Sequence, residues 1–238
     1  MLSDIQNLLK IPRTPHQSGL LQMGCYTPEY LITGDMTTYS IIRGVAKRKA
    51  EVSKERQINT YAEVWHASYV MLEKAKKDPE GSYYQLMASL VFTAFTLEAF
   101  LNHIGQSIFK CWDDLEQLSP LRKLNLIAET LEIRKDEGKR PFQTISKLLR
   151  FRNDVAHGKT VHLKSTDQIT VVDSEFDQHM RDSLQTPWQN YCNLENAERA
   201  REDVEEVCHI IHRASGLTGD ILFSFGLQVS SATLLPED

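Results

Sequence analysis

The stretch SYYQLMASLVFTAFTLEAFLNHIGQSIF, Ser82–Phe109, decides the fold. Leu86, Leu90, Ala94, Leu97, Leu101 and Ile104 recur at spacings of three and four, which marks one face of an α-helix. Met87, Val91, Phe95 and Phe100 widen that stripe around much of the circumference. A helix so broadly apolar belongs in the middle of a bundle, where it has neighbours on several sides. One acid interrupts the run. Glu98 lies between Leu97 and Leu101, and Asn102, four residues on, shares its face. A carboxylate there is costly unless paired. It is either half of an ion pair inside the bundle or a group that reaches a cleft.

The flanking segments also carry helical periods. From the basic run Lys47-Arg48-Lys49 to about Lys77 the pattern predicts a helix with Val64, Ala67, Met71 and Ala75 on its apolar face. Asp78-Pro79-Glu80-Gly81 breaks it. Ser119-Pro120 starts a third helix, with Leu121, Leu124, Ile127, Ala128 and Leu131 inward, and the charged loop Arg134 to Gly138 follows. Pro141 opens a fourth, with Phe142, Ile145, Leu148, Leu149 and Val155 as apolar positions and Gly158 as its stop. The period then changes. Thr160-Val161-His162-Leu163-Lys164 and Ile169-Thr170-Val171-Val172, separated by Ser165-Thr166-Asp167, predict a short β-hairpin. A last helix, about Asn193 to Ala214, carries Leu194, Ala197, Val204, Val207 and Ile211. Pro12, Pro15, Gly19, Gly24, Pro28 and Gly34 punctuate the beginning. The expected organisation is an N-terminal arm over 1–45, a helical domain over 46–215 and a tail over 216–238. The fold class is mainly α, a bundle of four to five helices with a small hairpin near 160–173.

Composition narrows the function classes. With 41% apolar and 25% charged residues in 238, a sizeable core needs no metal or disulfide. Cys25, Cys111, Cys192 and Cys208 are scattered without a CxxC pair, so reduced thiols and a cytoplasmic protein are the simplest expectation. No basic stretch followed by an apolar one marks a signal peptide at the start. No apolar run approaches the ~18 residues of a membrane span, so no membrane association is expected. The net charge of -5 gives no global basic footprint, so any RNA contact relies on local positive charge. P-loop, GxGxxG, GxSxG and HExxH patterns are absent from the sequence. His209 and His212 are three apart beside Glu205, Glu206 and Cys208, but without a recognisable ligand pattern; no metal and no cofactor are expected.

The chemistry concentrates in LLRFRNDVAHG, Leu148–Gly158. Arg152 offers a planar fork that matches a phosphate. His157 can exchange a proton near neutral pH. Asn153 can bond a phosphate oxygen or orient the imidazole. Lys147, Arg150 and Lys159 flank this run as candidate contacts to backbone phosphate. Lys47-Arg48-Lys49 with Lys54 and Arg56 is either an RNA-attracting patch or a solvated helix face.

Residues 60 to 160 resemble a HEPN domain, an all-helical family with many RNA-cleaving members. Two signals carry the resemblance. Arg152-Asn153-Asp154-Val155-Ala156-His157 fits the family's R-x4-H pattern, with a polar residue after the Arg and a small one before the His. Phe95-Thr96-Leu97-Glu98-Ala99-Phe100-Leu101-Asn102 is similar to the apolar helix with embedded Glu and Asn found upstream in several branches. The resemblance implies a metal-independent endoribonuclease acting as a homodimer, with the R-x4-H helices of two copies lining one cleft. The RNA's own 2'-hydroxyl would attack the adjacent phosphate, leaving a 2',3'-cyclic phosphate. Many relatives are toxins, often beside an antitoxin, or act in phage defence; others only bind nucleotides or serve as assembly modules. On this reading His157 is the general acid or base, Arg152 holds the scissile phosphate, Asn153 assists and Glu98 orients Arg152. Asn102 is a further candidate contact to nucleic acid. Residues five apart on a regular helix point about 140° apart, so Arg152 and His157 share a site only if the helix end is irregular or the cleft is wide. The structural alternative pairs Arg152 with Asp154 or Glu98 and makes His157 a helix cap.

Overall fold

The computed structural model describes residues 49–166, 180, 183–217 and 221–235. The described elements are β1 (Ala50–Arg56), α1 (Thr60–Lys77), α2 (Tyr83–Ile108), α3 (Trp112–Leu115), α4 (Pro120–Thr130), α5 (Phe142–Ala156), α6 (Pro187–Tyr191), α7 (Leu194–Ser215) and β2 (Gln228–Leu234). Arg56–Leu227 form one compact unit, which carries every described helix. The described residues of 1–55 and 228–238 belong to the other. There β1 pairs with β2 in a two-stranded antiparallel sheet, and the Leu235 N–H donates to the Lys49 carbonyl at 2.9 Å.

In the helical unit α2 is the hub. It packs on α1, α7, α4, α5 and α3. Leu90, Leu97, Leu101 and Ile104, from the stripe expected in the sequence, are fully buried, and Leu86 and Ala94 nearly so. By length and composition α2 is also the one helix among the described residues apolar enough to cross a bilayer, but half of that stretch is buried against neighbouring helices. Packing on several sides accounts for its apolar character.

The α1–α2 interface holds a polar seam. Ser68 Oγ lies 2.6 Å from Thr93 Oγ1 and donates to the Ser89 carbonyl, while Ser89 Oγ donates back to the Ser68 carbonyl, each at 3.0 Å. All three side chains are fully buried, and small hydroxyls let the two helices approach while satisfying one another. The seam turns α1 so that Tyr61, Ala62, Leu72 and Ala75 face the core. Val64, Ala67 and Met71, expected on that face, are only partly buried. Gly105 lets α2 receive the Trp112 ring, since a Cβ there would lie 2.3 Å from it.

Three further expectations change. The segment from Lys49 to Arg56 is not the first turns of a helix: Ala50–Arg56 is a strand, and the helix starts at Thr60. Its Lys, Arg, Glu and Ala content favours helix, and pairing with β2 far along the chain overrides it. The expected hairpin is not formed as read, because 160–166 adopt no strand; Ile169–Val172 lie outside the described residues. The tail expected over 216–238 divides at Leu227: Gln228–Leu234 form β2, while within the helical unit Leu222, Phe223 and Phe225 pack on the core, with Phe223 stacked on Trp65 at 4.8 Å. Here Asn59 Nδ2 donates to the Ser224 carbonyl at 2.9 Å, and Gly226, at φ +98°, lies where a Cβ would meet the Gln57 carbonyl. The N-terminal arm, 1–45, lies outside the described residues.

Candidate functional site

α5 and α2 build the site. Phe142, Ile145, Leu148, Leu149 and Phe151 bury one side of α5, and this packing sets the direction of its remaining side chains. Arg152 points toward α2, where its Nη2 donates to Glu98 Oε2 at 2.6 Å. Its Nη1 donates to Asn153 Oδ1 at 3.0 Å, and its guanidinium lies 5.5 Å from the centre of the Phe95 ring. The two signals read from separate stretches of sequence therefore meet. Glu98, not Asp154, is the partner of Arg152. The pair is partly open, with side-chain exposures of 20% for Arg152 and 25% for Glu98. At that exposure water competes with the pair and a second anion can approach the guanidinium.

His157 caps the helix through its backbone. The His157 N–H donates to the Asn153 carbonyl at 2.9 Å, a regular helical bond, and α5 is α-helical through Ala156. The helix is regular through Ala156 and leaves helical geometry at His157, at φ −113° and ψ 18°. The imidazole is exposed and makes no hydrogen bond or ion pair with the described residues. Within one chain Arg152 turns to α2 while His157 faces solvent.

The other candidates divide. Lys147, Arg150 and Lys159 are exposed and without ion-pair partners among the described residues. Asn102 is engaged, because its Oδ1 accepts from Lys123 Nζ at 2.8 Å. Lys123 is 2% exposed, so this bond satisfies a buried ammonium. Sequence reasoning missed Lys123, although it lies on the inward face of α4 with Pro120, Leu124 and Ile127. It also missed that Phe95, taken as a core position, is 38% exposed beside Arg152. His103 is half-buried against the Tyr61 ring at 5.0 Å, away from the α5 terminus. Arg56 sits 3.5 Å from Glu63 in an exposed ion pair; Lys47 and Arg48 lie outside the described residues. Among the described residues no group of three or more His, Cys, Asp or Glu converges as a metal site, His209 and His212 included. Cys111, Cys192 and Cys208 are free thiols.

Compared with known proteins, the chain matches no family model, no curated protein and no solved structure.

Proposed function

We propose that this chain is a metal-independent endoribonuclease of HEPN type, working as a homodimer in a toxin or phage-defence setting, where an antitoxin is a fitting protein partner. The observation that carries the reading is the arrangement around the end of α5. A guanidinium oriented by Glu98 and Asn153 accompanies an exposed imidazole, without a hydrogen bond or ion pair to the described residues, one and a half turns further on. Arg152 would hold the scissile phosphate and offset charge on its oxygens in the transition state. His157 would take the proton from the attacking 2'-hydroxyl or give one to the leaving 5'-oxygen. The P–O bond to the 2'-oxygen forms as the bond to the 5'-oxygen breaks, leaving a 2',3'-cyclic phosphate and a 5'-hydroxyl.

Because Arg152 and His157 point apart in one chain, the reading needs α5 of a second copy. Phe95, exposed beside Arg152, is an apolar contact for such a neighbour. The test incubates purified wild type and an Arg152→Ala/His157→Ala double variant with mixed RNA in EDTA, and reads 3'-end chemistry. Cleavage by wild type alone, leaving cyclic phosphates, is expected. Equal cleavage by the folded double variant overturns the assignment.

The Arg152–Glu98 pair favours a second reading. An arginine already satisfied by a carboxylate serves equally well in a catalytically silent helical module that dimerises and binds a nucleotide, a nucleic acid or a protein. A dimer that never cleaves RNA would favour it.

A further inference from the structure

We propose that a basic pocket at the opposite end of α5 holds a backbone phosphate of the RNA, upstream or downstream of the bond being cut. The proposal rests on the ribonuclease reading and extends it. Arg140, Gln143, Thr144, Lys147, Tyr191 and Arg199 line a cavity of about 180 Å³. Holding one water takes roughly 10–15 Å³ on the same measure, so a phosphate with its ester oxygens fits. Three cations line it and no carboxylate does.

Two of the three cations are already paired with acids outside the lining, which leaves Lys147 as the uncompensated charge. Arg140 Nε donates to both oxygens of Asp203 at 3.0 Å, and its Nη2 to Glu202 at 2.9 Å; Arg199 Nη2 donates to Glu195. Each guanidinium keeps a further terminal nitrogen for a ligand. Lys147 is exposed and without a partner among the described residues, so its three donors are open. Thr144 is only 4% exposed, yet its hydroxyl bonds to none of the described residues and borders the cavity. A ligand oxygen in the cavity can accept from that hydroxyl. Gln143 and Thr144 also belong to the first turn of α5, where the helix dipole favours an anion, and the Gln143 N–H is itself taken by the Lys139 carbonyl at 2.8 Å.

The helix itself connects this pocket to the candidate site. At about 100° per residue, Gln143, Lys147, Arg150, Asp154 and His157 lie within about 40° of one line. All five are exposed. The stripe runs ~21 Å from the pocket to the imidazole. Its single acid, Asp154, faces two cations, Lys147 and Arg150. One RNA strand laid along the stripe places a phosphate in the pocket and another at His157. This surface joins two binding points that a free phosphate would occupy singly.

The experiment uses the full chain and a fluorescent 2'-O-methyl oligoribonucleotide, which lacks the attacking hydroxyl and is not cut. Anisotropy titrations over a salt series compare wild type with Lys147→Gln and Lys147→Glu, whose exposed position keeps them folded, and with Thr144→Val. We expect Lys147→Gln to weaken binding several-fold for every sequence and lower the salt slope by about 0.7 to 1, Lys147→Glu to weaken it at least tenfold, and Thr144→Val to weaken it a few-fold. Pyrophosphate should displace the oligonucleotide from wild type. Unchanged affinity and slope in both Lys147 variants overturns the subsite, even if wild type cleaves RNA. Lys147-dependent binding of pyrophosphate without RNA binding also overturns it, leaving a site for a free phosphate. Lys147-dependent RNA binding without any cleavage upholds the subsite and sinks the ribonuclease reading alone.

Discussion

Both ends of α5 hold an arginine against a carboxylate, and the two pairs are built oppositely. Before its first turn, Arg140 is half-exposed and its partner Asp203 is 1% exposed. Near its last turn, Arg152 and Glu98 are both partly open. A buried carboxylate stripped of its cation keeps its desolvation penalty, so the fold depends on Arg140. Two groups that each keep part of their surface in water lose less when unpaired than a fully buried carboxylate, so less stability rests on Arg152 than on Arg140. The same residue types thus act as a structural staple at one end and as exchangeable chemistry at the other. Burial of the acid makes the difference.

The sharpest way to break this comparison is His157→Ala. Its cleavage rate should fall about 10²- to 10⁴-fold. Its melting temperature should stay at the wild-type value, because the imidazole is exposed and forms no hydrogen bond or ion pair with the described residues. A coincident loss of stability would mean that the C-terminal end is structural too. Next comes the staple, measured by thermal melts. Arg140→Ala should lower the melting temperature more than Asp203→Ala does, since only the first leaves a buried charge unpaired. Equal shifts, or a larger one for Arg152→Ala, would reverse the assignment of roles. Glu98→Gln tests the exchangeable pair more gently: cleavage should slow about tenfold through looser positioning of Arg152, with stability nearly unchanged.

The smallest effect is a pH dependence beside the staple. Burial pushes the Cys192 thiol up from 9.0 to about 11, although the Tyr83 hydroxyl pulls the other way. Burial likewise pushes the Tyr191 hydroxyl up from 10.0 to about 12, against the nearby Arg199. Both groups release protons more readily when unfolded. Their stabilisation is therefore complete below about pH 9 and declines as pH rises toward 11 and 12. Melts between pH 8 and 10.5 should show that decline beginning near pH 9, and a flat profile would contradict it.

Much of the helical unit was legible because its signals are local. The stripe from Leu86 to Ile104, the Ser119-Pro120 start and the α7 period needed nothing beyond neighbours three and four residues away. The errors fall where a distant partner decides. Ser68 is polar by composition and buried by Ser89 and Thr93. Ala50–Arg56 is helix-prone by composition and a strand because Gln228–Leu234 pairs with it. Phe223 and Phe225 lack a regular period yet join the core. In the candidate site the residue types of Arg152, Asn153, His157 and Glu98 were readable, while Lys123 and the choice of Glu98 over Asp154 as the partner of Arg152 were not.

By itself, then, the sequence determined a mainly helical chain, the order of its long helices and the residue types gathered near the end of α5, because periodicity and residue chemistry are properties of neighbours along the chain. Only the tertiary structure decided that Glu98 holds Arg152, that the His157 side chain is exposed and that Lys147 shares a pocket with Thr144, Arg140 and Arg199. Those outcomes depend on which helix faces pack together, and packing joins residues that no local pattern connects.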